Sequence, residues 1–106
     1  MPPKFSIIMP VWNRADIVGR AIESVLSQSF KDYELLIIDD GSSDGLEKVI
    51  GQYLSDKVKF FRIKHSGASA ARNHGLRNAA GEFIAYLDSD NVWHSDFLLK
   101  MHNAIA

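Results

Sequence analysis

Asp88 and Asp90 stand one residue apart just after the apolar run Phe83 to Leu87, and carboxylates held that close repel each other unless a cation joins them. The chain has no cysteine, so a metal here must take oxygen or imidazole ligands. Paired carboxylates suit a hard divalent ion, Mg2+ or Mn2+, which keeps waters and shares phosphate oxygens rather than sitting in an all-protein cage. A plain helix-start role for Asp90 is the competing reading. Asp39 raises a related question. It ends Tyr33 to Asp39, a run apolar enough to be buried, where a carboxylate must be hydrogen-bonded, paired or coordinated. Further polar groups, Trp12-Asn13-Arg14, Asp40 to Asp44 and His65 to Arg72, each follow an apolar run as well. Turn and cap chemistry accounts for Gly41, Ser42, Ser43 and Asp44 about as well as function does.

These clusters need a scaffold that brings them together. Phe5 to Pro10, Tyr33 to Asp39, Val58 to Lys64 and Phe83 to Leu87 read as strands, the third partly alternating and so nearer an edge. Between them, Ile17, Val18, Ala21, Ile22, Val25 and Leu26 recur at helical spacing. Asp44, with Glu47 three residues on, reads as the cap of a second helix whose inner face is Leu46, Val49, Ile50, Tyr53 and Leu54. Alanine-rich Ala68 to Ala80 predicts a third, stopped by Gly81, and Ser95 a cap for a last helix carrying Leu98, Met101 and Ile105. Strands alternating with helices demand an α/β fold, Rossmann-like, with a parallel sheet of about four strands. In such a sheet every carboxyl end shares one edge, so all the polar clusters converge on one crevice, the usual ligand position.

Taken together, Phe5 to Arg14, Ile38-Asp39-Asp40-Gly41-Ser42-Ser43-Asp44-Gly45, Gly67 to Gly75 and Leu87-Asp88-Ser89-Asp90 resemble the N-terminal, nucleotide-sugar-binding half of a family 2 glycosyltransferase of GT-A fold. The resemblance covers nearly the whole chain. It implies an inverting transfer of a sugar from a nucleoside diphosphate sugar, UDP-sugar first, to an acceptor saccharide or other hydroxyl, assisted by a divalent metal. It also implies nucleotide binding by Pro10, Val11, Trp12, Asn13, Asp39, Arg72, Asp88 and Ser89, with Asp39 receiving a hydrogen bond from the base and Asp90 holding the metal. Asn91 departs from the pattern, standing where many relatives carry another acid. Relatives continue further and carry the acceptor surface and catalytic base there. Residues 1–106 are therefore expected to form a single nucleotide-binding domain, truncated relative to a full transferase, with no base of its own, little activity and an exposed sheet edge that favours a homo-oligomer.

Composition narrows the alternatives. Twelve basic against thirteen acidic residues give a net charge of −1 over 106 residues, without the basic excess that nucleic acid or an anionic membrane attracts. The longest apolar runs are four or five residues, as in Leu35 to Ile38 and Phe83 to Leu87, against the ~20 that span a bilayer. The chain reads as a cytoplasmic protein or a piece of one. Trp12 is open to two readings, core packing or stacking beside a nucleobase. Lys48, Lys57, Lys59 and Lys64 read as solvated surface, and the histidines as no metal site. Two rival classes remain, a non-catalytic nucleotide-binding module and an aspartate-nucleophile phosphatase built on Asp88 and Asp90. The latter motif ordinarily opens its domain, whereas here it lies near the end of the sequence.

Overall fold

The computed structural model describes residues 2–105. Strands β1 (Phe5–Val11), β2 (Tyr33–Asp39), β3 (Val58–Arg62) and β4 (Phe83–Tyr86) alternate with helices α1 (Val18–Leu26), α2 (Leu46–Gly51), α3 (Ala68–Asn78) and α4 (Phe97–Ile105). All strand pairings are parallel, in the order β3-β2-β1-β4, so the partly alternating third strand does lie at an edge.

The central strands have apolar side chains on both faces because helices cover both. Ile7, Met9, Leu35 and Ile37 join the core that contains Val18, Ile22 and Leu98, while Ile8, Leu36 and Ile38 pack with Ala71 of α3 on the other face. Ala71 and Gly75, one helical turn apart, let α3 approach closely; a Cβ on Gly75 would lie 2.6 Å from Ile8 Cγ2.

Pro10 sits in a central strand, where a missing N–H ordinarily costs a ladder bond. Ile8 C=O accepts from Leu87 N–H on the β4 side, and Pro10 lies on that same side beyond the last paired residue, Ile8↔Tyr86. No donor is needed there, because the two strand ends have parted. The gap between them opens the crevice at the carboxyl edge.

Several local readings give way to long-range partners. Asp44 does not cap α2, whose N-cap is Gly45 with φ 78; its Oδ2 accepts from Ala15 N–H at 2.9 Å. Tyr53 and Leu54 fall beyond the end of α2, and Leu54 is exposed. Gly81 is not the terminator of α3. It is required because a Cβ would meet Ser6 N at 2.6 Å, and its N–H donates to Ser6 Oγ. Gln28, fully buried, takes the part expected of Ser95: its Oε1 accepts from Leu98 N–H at 3.0 Å, and its Nε2 donates to the His94 carbonyl at 2.7 Å. Lys57 lies over the Tyr33 ring and Lys59 pairs with Glu34, so neither is merely solvated.

Glu34 is a charge inside the strand read as apolar enough to be buried. Its Oε2 accepts from Ser6 Oγ at 2.5 Å and from Ala80 N–H at 2.7 Å, tying β1, β2 and the α3–β4 turn together. Burial by itself would raise its pKa, but the hydrogen bonds from Ser6 and Ala80 and the nearby Lys59 outweigh it and hold the carboxyl below the ordinary value of 4.5. A folded value below the unfolded one means stabilisation that is complete above about pH 4.5 and lost as pH falls through the folded value. Glu34→Gln should therefore lower the melting temperature at neutral pH by about 5 °C or more, the shift of roughly 1 kcal/mol in a domain this size. It should also flatten the acid side of a melting-temperature profile between about pH 6 and 3; an unchanged acid slope would exclude Glu34 as its source.

Candidate functional site

The carboxyl ends of β1 and β2 are tied together by hydrogen bonds. Asn13 N–H donates to Ser42 Oγ at 2.8 Å, Ser43 N–H donates to Asn13 Oδ1 at 2.9 Å, and Asp40 N–H donates to the Val11 carbonyl at 2.9 Å. Asn13 adopts φ 51, the one non-glycine in the left-handed region among the described residues, and its side-chain bond to the neighbouring loop compensates. The β1–α1 and β2–α2 loops thus form a single rigid rim.

The adjacent acids Asp39 and Asp40 have different environments. Asp39 shares the strand parity of Leu35 and Ile37 and is 0% exposed; Oδ1 accepts from Ser42 N–H at 2.8 Å and Oδ2 pairs with Arg62 Nη1 at 2.7 Å. Arg62 also donates to the Ser42 carbonyl at 2.7 Å. The carboxylate expected to read a base is therefore turned inward and engaged in building the loop. Asp40 is the acid that lines a cavity, of about 220 Å³, with Pro10, Val11, Trp12, His65, Gly67 and Ala68. Its Oδ1 accepts from Ser66 N–H at 2.8 Å and its Oδ2 from Gly67 N–H at 2.9 Å. A carboxylate offers about four acceptor positions, so capacity remains.

Trp12 lines the crevice and is not part of the core. It is 49% exposed and stacks on His65 with ring centroids 4.6 Å apart and planes at 22°. Gly41, at φ 79, leaves room for this arrangement, since a Cβ there would stand 2.8 Å from His65 N.

The second half of the site is charged. A cleft of about 330 Å³ is lined by Pro10, Trp12, Arg14, Ala68, Arg72, Asp88, Ser89 and Asp90, and it adjoins the first cavity through Pro10, Trp12 and Ala68. Arg72, on the second turn of α3, reaches Asp88 Oδ1 at 4.0 Å. Asn91 N–H donates to the Asp88 carbonyl at 3.0 Å, closing a turn that leaves Asp88 and Asp90 exposed and Ser89 buried. Among the described residues, no three His, Cys, Asp or Glu side chains surround one point, and no ion pair engages Asp90. An ion here would have two carboxylates at most and would take its remaining oxygens from ligand and water, a donor set that fits Mg2+ or Mn2+.

Of the residues singled out in the sequence, Pro10, Val11, Trp12, Arg72, Asp88, Ser89 and Asp90 line the crevice; Asn13 supports its rim and Asp39 lies behind it. Asp40, His65 and Arg14 were not singled out as site residues. Strand parity could not have told Asp40 from Asp39, since both faces of β2 are covered, by Leu35 and Ile37 on one side and Leu36 and Ile38 on the other, and both acids are buried.

Comparison with known proteins bears on this geometry. A family model described as Glycosyl transferase family 2 matches residues 6–106. An uncharacterized glycosyltransferase of Rickettsia felis is 47% identical over 94 residues, covering 88% of this chain and 16% of the relative. S. aureus TarS 1-349, solved in complex with UDP-GlcNAc, superposes with a TM-score of 0.92 at 28% identity, covering 96% of this chain and 31% of that one. The mannosyltransferase PcManGT from Pyrobaculum calidifontis, solved with GDP-Man and Mn2+, shares the fold at a TM-score of 0.88 and 23% identity, covering 100% of this chain and 33% of that one. The chain thus spans between 16% and 33% of the length of these proteins. No helix among the described residues is long and apolar enough to cross a membrane.

Proposed function

The chain belongs to glycosyl transferase family 2 and has the fold of the N-terminal, nucleotide-binding half of GT-A enzymes, and on that premise we propose that it holds the nucleoside diphosphate sugar for an inverting, metal-assisted transfer. The observation that carries the reading is the contiguity of a base-sized cavity walled by Asp40 and Trp12 with a cleft bearing Arg72, Asp88 and Asp90. A nucleotide has the same order of parts, a flat base followed by ribose and diphosphate.

UDP is the favoured nucleotide. Asp40 is acceptor-only and accepts the imide N–H of uracil, while Trp12 offers the base an aromatic face. Asp88 takes the ribose side and Arg72 the anionic side, where a guanidinium suits phosphate oxygens. Asp90 would hold Mg2+ or Mn2+, with the Asn91 amide oxygen available as a further donor. When bound, the ion supplies positive charge against the diphosphate. In the transfer, an acceptor hydroxyl attacks the anomeric carbon from the face opposite the diphosphate, whose oxygen leaves with the bonding electrons, and the hydroxyl proton passes to a base. None of the residues named here is assigned as that base.

The test is metal dependence. Mn2+ should tighten UDP binding to the native chain, and Asp90→Ala should abolish that gain while leaving weak, metal-independent binding through Asp40. Equal affinity of variant and native chain in Mn2+, with both folded by circular dichroism, would refute the assignment of Asp90.

A further inference from the structure

His65 has two neighbours at its Nδ1, the Asp40 carbonyl and Asp40 Oδ2, each at 3.0 Å. Both can only accept, so the hydrogen-bonding pattern calls for Nδ1 as the donor. The ring is stacked on Trp12 and lines the same cavity as Asp40, while the side chain stays 56% exposed, so protons reach it without unfolding. We propose that His65 is a specificity-determining residue, setting how strongly the Asp40 carboxylate discriminates between bases according to the protonation of its ring.

This rests on the nucleotide reading above and adds a residue that reading does not use. With a neutral ring, Asp40 keeps its full charge for an imide N–H and repels the N3 lone pair that cytosine presents in the same place. With a cationic ring, a positive charge stands 3.0 Å from Asp40 Oδ2, and the ion pair draws on the same carboxylate. Uracil then gains less and cytosine is opposed less.

The charged surroundings are few. Asp40 is the carboxylate paired with His65 among the described residues, and Trp12, the stacked neighbour from the β1–α1 loop, is uncharged. Arg62 is turned to Asp39, Glu47 and the Ser42 carbonyl; Arg14, Arg72, Asp88 and Asp90 line the adjoining cleft. Lys64 flanks His65 on its own segment.

The experiment is the ratio of CDP to UDP dissociation constants, measured by calorimetry from about pH 8 to about pH 5.5, the span over which an imidazole becomes charged. The two nucleotides share ribose and diphosphate, so effects on those groups cancel in the ratio. In the native chain the ratio should be about tenfold or more at the upper end, the worth of one hydrogen bond to a charged acceptor, and fall about threefold or more on acidification. His65→Phe keeps a flat ring against Trp12 but cannot titrate, and its ratio should stay level. A level ratio in the native chain, or an equal fall in His65→Phe, overturns the role of His65 and leaves the nucleotide reading standing. Absence of saturable UDP binding at any pH overturns both.

Discussion

Asp40→Asn should weaken UDP binding about tenfold or more while leaving CDP binding unweakened or tighter, because a hydrogen bond to a charged acceptor is worth roughly 1.5–3 kcal/mol and the repulsion of the cytosine lone pair is removed. The carboxylate already receives Ser66 N–H on Oδ1 and Gly67 N–H on Oδ2, and His65 Nδ1 also approaches Oδ2, so Oδ1 has the freer lone pair for a base. An amide has a single oxygen to share between Ser66 and Gly67, and its NH2 must face a donor or the cavity. In either case the acceptor offered to an imide is lost, whereas cytosine, which brings a lone pair, is no longer opposed by a carboxylate. Calorimetric titration of both nucleotides checks this, with the thermal transition as the control for the loop. Unchanged UDP affinity in a folded variant would remove Asp40 from the base site.

Arg62→Ala should destabilise the fold by roughly 2–3 kcal/mol, less than the ~3–5 kcal/mol of a fully buried broken pair, because its guanidinium is half exposed and water can enter in its place. In a domain of this size that corresponds to a melting temperature lower by about 10–15 °C. The loss arises at Asp39, which is 0% exposed and would be left with only the Ser42 N–H as a strong partner. Removing both charges in Asp39→Ala/Arg62→Ala should therefore cost less than the sum of the single changes, a coupling that a double-mutant cycle reads directly. UDP affinity should fall with the single change as well, since Arg62 holds the Ser42 carbonyl and Ser42 Oγ holds Asn13 N–H, in the loop that bears Trp12. Additive losses in the cycle would mean that the pair is incidental.

The alternation of strands and helices was legible because each element satisfies its pattern locally: β2 is buried along its whole length, and α1 buries Val18, Ala21, Ile22 and Val25 on one face. Convergence of Trp12, Arg72, Asp88 and Asp90 on one edge followed from parallel topology alone. What stayed hidden depends on partners distant in sequence. Asp44 is a good local cap, yet its partner Ala15 N–H lies 29 residues away. Gln28 gives no local signal, because its role comes from α4, 70 residues on. Glu34 carries no local signal, since the Ser6 hydroxyl and the Ala80 N–H that stabilise its charge belong to other elements. Which of Asp39 and Asp40 lines the cavity turns on a single residue along the strand, where one step moves a side chain from one face to the other.

Titration calorimetry of the native chain with UDP, GDP, dTDP and ADP in the presence of Mn2+ tests the central claim most directly. A saturable one-to-one heat for UDP, stronger than for ADP and reduced when the metal is chelated, is the result expected of a pocket walled by Asp40 and a cleft holding Asp90. No measurable heat for any of the nucleotides at about millimolar ligand, where even weak sites fill, would contradict it.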